Sequence, residues 1–577
     1  MEEHQAAQRI SPEGGAALEL SFNRYYDYEE LTAALRSLAG THPELGTLSS
    51  LGQSPEGRET WLFTITGPGR PPSAKPAYCI DANHHAGEVT GSMVTLYTIW
   101  FLLTNYGKDE AITRLLDGTT FYCIPRLAMD GAEAYLKTPE TLRSAPRYYP
   151  DPQPEHLPGL YPYDVDGNGH ILLMRVPDPT GEWKVSARDK RMLVRRAPDD
   201  DGDTYYRIWV EGMLRDGDGG EIRPVPPKWG LDLNRNYPVG WRPEHRQRGA
   251  GPYPLSEPET RMLADFILAH PNIGGSVTYH TSGGVILHPP GTREPSDLPE
   301  GDLQLLKTIG QLGTEATGYP CVPILGGFTD KENMATGAFD DWLYEHLGIP
   351  SYTVELWAIS QRAGLPSMWP RRQRSAQEQE DDLFRIFQWN DWELAGQGFW
   401  PWTPFQHPQL GKVELGGWLP KFVVQNPPPH LLPAECHKNM VFTFRHARTL
   451  PRLILDETRV QDLGDGAYKI ETTVANHGYL ATYLTRQGLD RNKARPVVVE
   501  LLGEGFEVVS GKPRVECGHL EGRSARRGTF ALAYYFSPPS EPSQKRLTWV
   551  IKAKGAARVH IKASSDKAGE VSTEVTI

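Results

Sequence analysis

The chain has few cysteines. Its 577 residues contain only five, and they are widely scattered: Cys79, Cys123, Cys321, Cys436 and Cys517. A sparse and odd set suggests neither a disulfide framework nor a cysteine-based metal site. Cys79 and Cys123 stand in apolar, strand-like runs, and we expect them to be small core residues.

The chain also lacks a long apolar run and an excess of positive charge. The longest strongly apolar run, residues 93–103, is shorter than the roughly 20 residues that span a bilayer, so it predicts a buried helix and no membrane partner. A formal net charge of -12 argues against a nucleic-acid partner, which calls for a basic face. The first residues, MEEHQAAQRISPEGG, lack the pattern of a secretory signal. We therefore expect a cytoplasmic protein if this N-terminus is native, and a secreted or periplasmic one if a signal was removed.

Periodicity predicts an α/β fold followed by an all-β region. Short runs of strand formers alternate with helical stretches, which favours a mixed, mostly parallel sheet flanked by helices. We predict an N-terminal tail over residues 1–20 and an enzyme domain over 21–400, with an insertion at about 148–227 that is rich in Asp, Gly, Pro and Arg. Residues 401–445 are interpreted as an aromatic and proline-rich linker. Short alternating strands over 446–577 predict a β-sandwich accessory domain.

The sharpest local signal is the hexapeptide NHHAGE at residues 83–88, which closes one strand and opens a helix. Its His85 and Glu88 are three residues apart, so both can reach one metal ion. Zinc in hydrolases commonly takes two His and one Glu and keeps a fourth position open. His280, at the end of another predicted strand, is the best candidate for the missing ligand. Glu355 ends a third strand at the same edge of the sheet, where a general base belongs.

The order of these motifs over roughly residues 28–392 resembles the zinc carboxypeptidase family, of the carboxypeptidase A/B type. The resemblance implies one zinc ion per chain, held by His85, Glu88 and His280, and Glu355 as the base for a zinc-activated water. It implies an exopeptidase that hydrolyses the C-terminal peptide bond of peptides with a free terminal carboxylate. The oligomeric state is not indicated.

The same resemblance assigns substrate-binding residues. The family's Asn-Arg pair, which holds the terminal carboxylate of the substrate, matches Asn234 and Arg235. A guanidinium group suits this task because it donates two parallel charge-assisted hydrogen bonds to a carboxylate. Arg143 follows Asp130 at the spacing of the family's arginine that polarises the scissile carbonyl.

Asn333 and Asp340 stand at two positions that bind the substrate in the family. An ungapped comparison puts Asn333 where the family has a tyrosine that covers the substrate, so Asn333 receives no catalytic role. It also puts Asp340 at the floor of the S1′ pocket, where an acidic residue pairs with Lys or Arg. We therefore hypothesise a preference for basic C-terminal residues. The alternative is that Asp340 only caps a helix that starts near Asp341.

The predicted insertion contains a second metal-like pattern. Residues 164–169 (DVDGNG) follow the first half of a calcium-binding loop, with alternating oxygen ligands and a glycine at the sixth place. However, Arg175 occupies the twelfth place, where the pattern requires glutamate. Asp and Gly at this density also form ordinary turns, so Ca²⁺ is a hypothesis for a titration to test.

Two other functions are compatible with parts of the sequence. Relatives of the same fold deacylate N-acyl amino acids or trim cell-wall and glutamyl peptides, and a carboxylate-binding Asn-Arg pair does not separate these reactions. A non-catalytic, peptidase-like binding protein is the second alternative. Loss of a metal ligand or of Glu355 would have favoured it, and all four residues are present.

Overall fold

The structure is a computed structural model of the chain. It describes residues 20–147, 149, 157–202, 204–215, 222–227, 229–370, 372–525 and 542–577, together with the short paired strands β1 (Arg9–Ile10) and β2 (Leu18–Glu19). Within these ranges, no helix combines the length and the apolar character that a membrane crossing requires.

A mixed sheet of eight strands forms the centre of the enzyme domain. Its strands are β3 (Gly46–Gln53), β4 (Glu59–Ile65), β5 (Ala77–Ala82), β6 (Thr120–Ile124), β13 (Ile273–Thr281), β14 (Val285–His288), β15 (Cys321–Pro323) and β16 (Ser351–Leu356). Their order is β15-β14-β16-β13-β5-β6-β4-β3, and the four neighbours β16, β13, β5 and β6 are parallel. Every residue of β5 and β13 is buried, as expected for strands covered on both faces. The predicted mixed, mostly parallel sheet is confirmed.

Helices cover both faces of this sheet. One face carries α1 (Tyr28–Thr41), α2 (Val89–Asn105), α3 (Glu110–Gly118), α6 (Glu300–Thr317) and α10 (Leu432–Ala447), and the other carries α5 (Pro258–Ala269) and α7 (Phe339–Leu347). Shorter or peripheral helices are α4 (Met129–Lys137), α8 (Ile359–Arg362), α9 (Ala376–Glu393) and α11 (Arg486–Asp490). Helix α2 approaches the sheet closely because it has Gly91 at the contact, where a Cβ atom would lie 2.9 Å from the Cβ of Tyr279.

A second sheet joins the insertion to a later hairpin. Its strands, in sheet order, are β10 (Leu193–Arg195), β9 (Trp183–Val185), β11 (Tyr206–Val210), β8 (Leu173–Pro177), β18 (Gly411–Trp418) and β17 (Phe399–His407). The insertion also contains the pair β7 (Gly159–Pro162) and β12 (Gly212–Arg215). Arg175 of β8 donates two hydrogen bonds, of 2.6 and 3.0 Å, to the carboxylate of Glu414 in β18.

The structure corrects the interpretation of residues 401–445 as a linker. Most of the hairpin β17–β18 lies in this segment and pairs with the insertion. Helix α10, which follows the proline run, packs on the central sheet, and its Phe442 and Met440 belong to the main hydrophobic core. Aromatic and proline content misled the interpretation because it is also typical of edge strands and of helix starts.

The C-terminal region consists mainly of β-strands, as predicted, and also contains the short helix α11. Its antiparallel strands are β19 (Leu453–Gly464), β20 (Ala467–Asn476), β21 (Val497–Ser510), β22 (Arg514–Gly518), β23 (Gln544–Ser565) and β24 (Gly569–Thr576). The 22-residue strand β23 pairs with β20 through its first half and with β24 through its second half. A separate core, which includes Trp549 and Ile561, lies inside this domain.

The two domains are joined by specific polar contacts. Asp302 of α6, only 3% exposed, accepts hydrogen bonds from the backbone N–H groups of Arg486 and Gln487 at 2.7 and 2.9 Å. The hydroxyl of Thr485 donates to the carbonyl of Gly348, just after α7. The C-terminal domain therefore docks on α6 and on the turn between α7 and β16.

Candidate metal centre and substrate cleft

Three neighbouring parallel strands bring the predicted metal ligands and base to one edge of the sheet. His85 and Glu88 lie in the turn between β5 and α2, and His280 lies near the end of β13. Strand register places His280 directly beside Glu355 of β16. The carboxyl ends of parallel strands are where ligands bind in α/β sheets, so the fold assembles these residues at an expected place.

His85, Glu88 and His280 form a compact cluster. The Nδ1 atom of His85 lies 2.9 Å from Oε1 of Glu88, and the Nδ1 atom of His280 lies 2.8 Å from Oε2 of Glu88. The potential ligand atoms all lie within 4.8 Å of one another, and all three residues are buried. Oε2 of Glu88 is buried without a hydrogen bond of suitable geometry. Two imidazoles and one such carboxylate are the donor set that zinc uses in hydrolases, so the residues fit the ion.

The protonation states of the cluster also suit a cation. Burial by itself raises the pKa of Glu88, but His85 and His280 beside it hold that pKa well below its usual range. Burial lowers the pKa of His280 to about 4. An ionised carboxylate and a neutral imidazole are the forms that bind a metal.

Asp232 orients His85 and was not singled out from the sequence. Its Oδ1 atom lies 3.0 Å from Nε2 of His85, and its Oδ2 atom accepts a 2.8 Å hydrogen bond from Nε of Arg143. Burial alone would raise the pKa of Asp232, but Arg143, Arg235 and His85 hold it well below its usual range. A carboxylate behind a ligating imidazole fixes the ring and increases its basicity. The available signal was an Asp two residues before the Asn-Arg pair.

A second buried network lies behind His280. The hydroxyl of Thr278 donates a 2.7 Å hydrogen bond to Oδ1 of Asp81 and lies 3.5 Å from Nε2 of His280. The same Asp81 oxygen lies 3.2 Å from Nδ1 of His84, whose Nε2 is 2.9 Å from the hydroxyl of Tyr237. Asp81, His84 and Tyr237 are completely buried. Nothing in the sequence pattern pointed to this network.

Arg143, Asn234 and Arg235 border the cluster. Arg143 keeps 44% of its side chain exposed, and its Nη1 atom is 3.9 Å from Glu88. Asn234 uses its side-chain oxygen to accept the backbone N–H of Phe339 at 2.8 Å, which ties its loop to the start of α7. Arg235 donates to the backbone carbonyl of Asn234 at 2.6 Å. Arg143 and Arg235 are both close enough to Asp232, which holds His85, to lower its pKa.

Asp340 is buried in the first turn of α7. Its Oδ1 atom accepts the N–H of Asp341 at 3.0 Å, and its Oδ2 atom accepts the hydroxyl of Thr353 at 2.7 Å. Burial raises the pKa of Asp340, although Arg235 acts in the opposite direction. The N-cap of α7 is Ala338, so Asp340 is not the cap residue itself, although it accepts a first-turn N–H of this helix. Its role in substrate selection stays a hypothesis. Asn333 lies exposed in a loop and bonds to Asp330.

The calcium-like loop has a third carboxylate nearby. Asp164, Asp166 and Glu211 place carboxylate oxygens within 4.8 Å of one another. The oxygens of Glu211 already accept the N–H groups of Val165 and Leu172 at 2.8 and 2.9 Å. The loop therefore satisfies this buried carboxylate through its own backbone.

Comparisons with known proteins find two family matches and several related peptidases. The family model described as "Zinc carboxypeptidase" matches residues 31–384. A second family, described only as a domain of unknown function, matches residues 452–576. Carboxypeptidase B of Astacus astacus is 26% identical over 346 residues, which is 58% of this chain and 88% of that protein. Mast cell carboxypeptidase A of Mus musculus is 23% identical over 57% of this chain and 62% of its own length.

Solved structures with low sequence identity are also similar. A crystal structure of thrombin activatable fibrinolysis inhibitor aligns with a TM-score of 0.43 and 17% identity, and the alignment covers 74% of each chain. Carboxypeptidase A from Helicoverpa armigera aligns with a TM-score of 0.38 and 20% identity, over 66% of this chain and 74% of that one.

Proposed function

Because the chain belongs to the zinc carboxypeptidase family, we propose that it is an exopeptidase that releases single residues, preferentially basic ones, from the C-terminal end of peptides. The observation that carries this proposal is the buried cluster of His85, Glu88 and His280 beside Glu355. Arg235, which can hold a terminal carboxylate, is close enough to Glu355 to lower its pKa.

His85, Glu88 and His280 would hold the zinc ion. When bound, zinc supplies a Lewis acid that polarises the substrate carbonyl and acidifies water. The chain contributes the orientation of the ligands. Asp232 fixes the ring of His85 directly, and Thr278 links Asp81 to the ring of His280.

Glu355 is the proposed general base. Burial and the charge of Glu88 raise its pKa well above the usual value, whereas Arg143 and Arg235 act in the opposite direction. A general base must be ionised to accept a proton, and Arg143 and Arg235 favour that form; the protonated carboxyl can then pass the proton to the leaving amine. Its place on β16, beside His280, keeps it next to the metal cluster without making it a ligand.

Arg143, Asn234 and Arg235 are the proposed substrate-binding groups. Arg235 would hold the terminal carboxylate through paired charge-assisted hydrogen bonds, and Asn234 fixes the loop from which it extends. Arg143 is held at its guanidinium Nε by Asp232, so its outer nitrogens can donate to the oxygen of the scissile carbonyl as negative charge develops there.

Asp340 supports the preference for basic residues. It is the acidic group that the family resemblance puts at the floor of the S1′ pocket. It is 1% exposed and is fixed by Thr353 and by the backbone of Asp341. A lysine or arginine side chain that entered this pocket would pair with a desolvated carboxylate, which strengthens the attraction relative to water. Pairing would also restore the ionised form of Asp340 that burial disfavours.

The first experiment combines metal content with peptide hydrolysis. We expect about one zinc per chain and chelator-sensitive release of C-terminal residues from a mixed peptide set. Glu355→Gln is expected to retain zinc but to lose about 10²–10⁴-fold in kcat, the usual range for a general base. Glu300→Gln, at an exposed start of α6, is the matched control. Zinc binding without any release of residues would contradict the peptidase function.

The second experiment tests whether Asp340 causes a preference for basic C-terminal residues. Three peptides that differ only in a C-terminal Lys, Leu or Glu are compared by kcat/KM. We expect Lys to be preferred, and Asp340→Asn to reduce kcat/KM for Lys by at least tenfold while Leu changes little. Equal rates for Lys and Leu in the unmodified enzyme would reject the basic preference but leave the peptidase function intact.

A further inference from the structure

A cleft of about 440 Å³ lies at the seam between the two domains. The enzyme domain contributes the residues just before β5 and β6, the end of α3 and the end of α10. The C-terminal domain contributes the turn after β20 and the segment around residue 523. The cleft thus opens at the amino ends of the central parallel strands, on the opposite edge of the sheet from the metal cluster.

The lining of this cleft is strongly basic. Arg114, Arg448, Arg452, Arg523 and His477 border it, and the described lining residues include no Asp or Glu. The chain as a whole carries a formal net charge of -12, so this concentration of one sign runs against the average composition. All five side chains are exposed.

Carboxylates compensate little of this charge. Arg114 pairs with Glu110 at 2.6 Å in an exposed contact, and such pairs are weak in water. Within the part of the chain that the structure describes, Arg448, Arg452 and Arg523 form no ion pair. All three line the same concave surface.

The backbone fixes the bases of these side chains. The N–H of His477 donates to the carbonyl of Arg452 at 2.9 Å, and the N–H of Arg523 donates to the carbonyl of Gly478 at 3.2 Å. Arg448 is held by the last turn of α10 through a 3.1 Å hydrogen bond to Phe444. The guanidinium groups can therefore converge on a ligand with only side-chain ordering.

From this arrangement we propose that the seam cleft binds a small multivalent oxyanion, with phosphate or carboxylate groups, that bridges the two domains. Guanidinium groups donate paired hydrogen bonds to either type of oxyanion. Like charges from both domains repel across the seam, and a bound anion replaces that repulsion with attraction. The anion stabilises domain docking and needs no contact with the metal centre.

Binding is tested on the full-length protein with two probes, tripolyphosphate and citrate, at constant ionic strength. Calorimetry is expected to give one site per chain, and each bound probe is expected to raise the melting temperature. The double variant Arg448→Gln/Arg452→Gln is expected to weaken binding at least tenfold. Arg558→Gln, an exposed arginine on β23 outside the cleft, is the matched control and is expected to bind like the unmodified protein.

The outcomes show whether the seam cleft binds phosphate groups, carboxylate groups or both. Binding of tripolyphosphate alone identifies phosphate groups, binding of citrate alone identifies carboxylates, and binding of both supports the shared chemistry. Binding of neither probe, or equal binding by the double variant, overturns the proposal. The melting temperature without ligand shows whether the variants are folded, and these outcomes do not depend on peptidase activity.

Discussion

Thr278 and Thr353 are paired neighbours on β13 and β16, and each donates a 2.7 Å hydrogen bond to a buried aspartate. The acceptor of Thr278 is Asp81, behind the ligand His280, whereas the acceptor of Thr353 is Asp340, in the proposed S1′ pocket. Substitution of either threonine by valine removes the hydroxyl and keeps the shape. The two variants therefore separate a role in metal binding from a role in the pocket.

The same kind of bond is lost in both variants, so a similar loss of stability is expected. A hydrogen bond contributes about 1 kcal/mol, and one to a charged group about 1.5–3 kcal/mol, so each variant should lose about 1–3 kcal/mol of the free energy of unfolding. The affinity for zinc, in contrast, should differ between the two variants. Loss of a residue that orients a metal ligand typically lowers metal affinity by about 10–100-fold. The hydroxyl of Thr278 is 3.5 Å from Nε2 of His280, which is a long contact. We therefore expect Thr278→Val to lower zinc affinity by about tenfold, or about 1.4 kcal/mol.

The assay is competition for zinc against a chromophoric chelator, which requires no substrate. Thr278→Val should bind zinc about tenfold more weakly, whereas Thr353→Val should bind it as the unmodified protein does and instead alter kcat/KM for C-terminal Lys. Equal zinc affinity in all three proteins would refute the link through Thr278. Equal weakening in both variants would mean that general loosening of the sheet, not Asp81, is responsible.

Three further predictions concern stability. Asp302→Ala should lower the free energy of unfolding by about 2–3 kcal/mol, because it removes a buried carboxylate that accepts the part-buried N–H groups of Arg486 and Gln487 and the hydroxyl of Tyr344; a loss below 1 kcal/mol in denaturant titration would contradict this. Gly348→Ala should lower the melting temperature, because φ is 68° there and a Cβ atom would lie 2.1 Å from the Cα of Gly488; an unchanged melt would contradict the tight docking. Added calcium should leave the melting temperature unchanged, because backbone N–H groups already satisfy Glu211; a calcium-dependent rise that Glu211→Gln abolishes would show a real calcium site.

The metal ligands could be predicted from the sequence because each lies at the end of a strand with a clear apolar pattern. His85 and Glu88 are close in sequence, and the family resemblance supplied His280 and Glu355. The alternation of strands and helices predicted a mostly parallel sheet but not the order of its strands. The central sheet and the metal cluster were therefore accessible before the structure.

Contacts between segments that are distant in the sequence could not be predicted from it. Strand β18 pairs with β8, which is more than 230 residues earlier in the chain. No local pattern in residues 401–445 predicts that β8 is the pairing strand. Asp81 and Thr278 likewise become neighbours only when β5 and β13 pair. Asp232 is an intermediate case, since its motif was visible but its contact with His85 depends on how the loop before it folds.

Helix α10 has a consequence for when the enzyme can become active. It contacts the three strands that carry the ligands and the base: His446 bonds to Tyr78 of β5 and packs on Tyr352 of β16, and Thr443 bonds to Tyr279 of β13. All catalytic candidates precede this helix in the chain. During synthesis, which proceeds from the N-terminus, the strands would emerge before the helix that covers them. A nascent chain would thus carry every reactive group yet lack a finished active site until α10 had left the ribosome, which delays proteolysis until the domain is nearly complete.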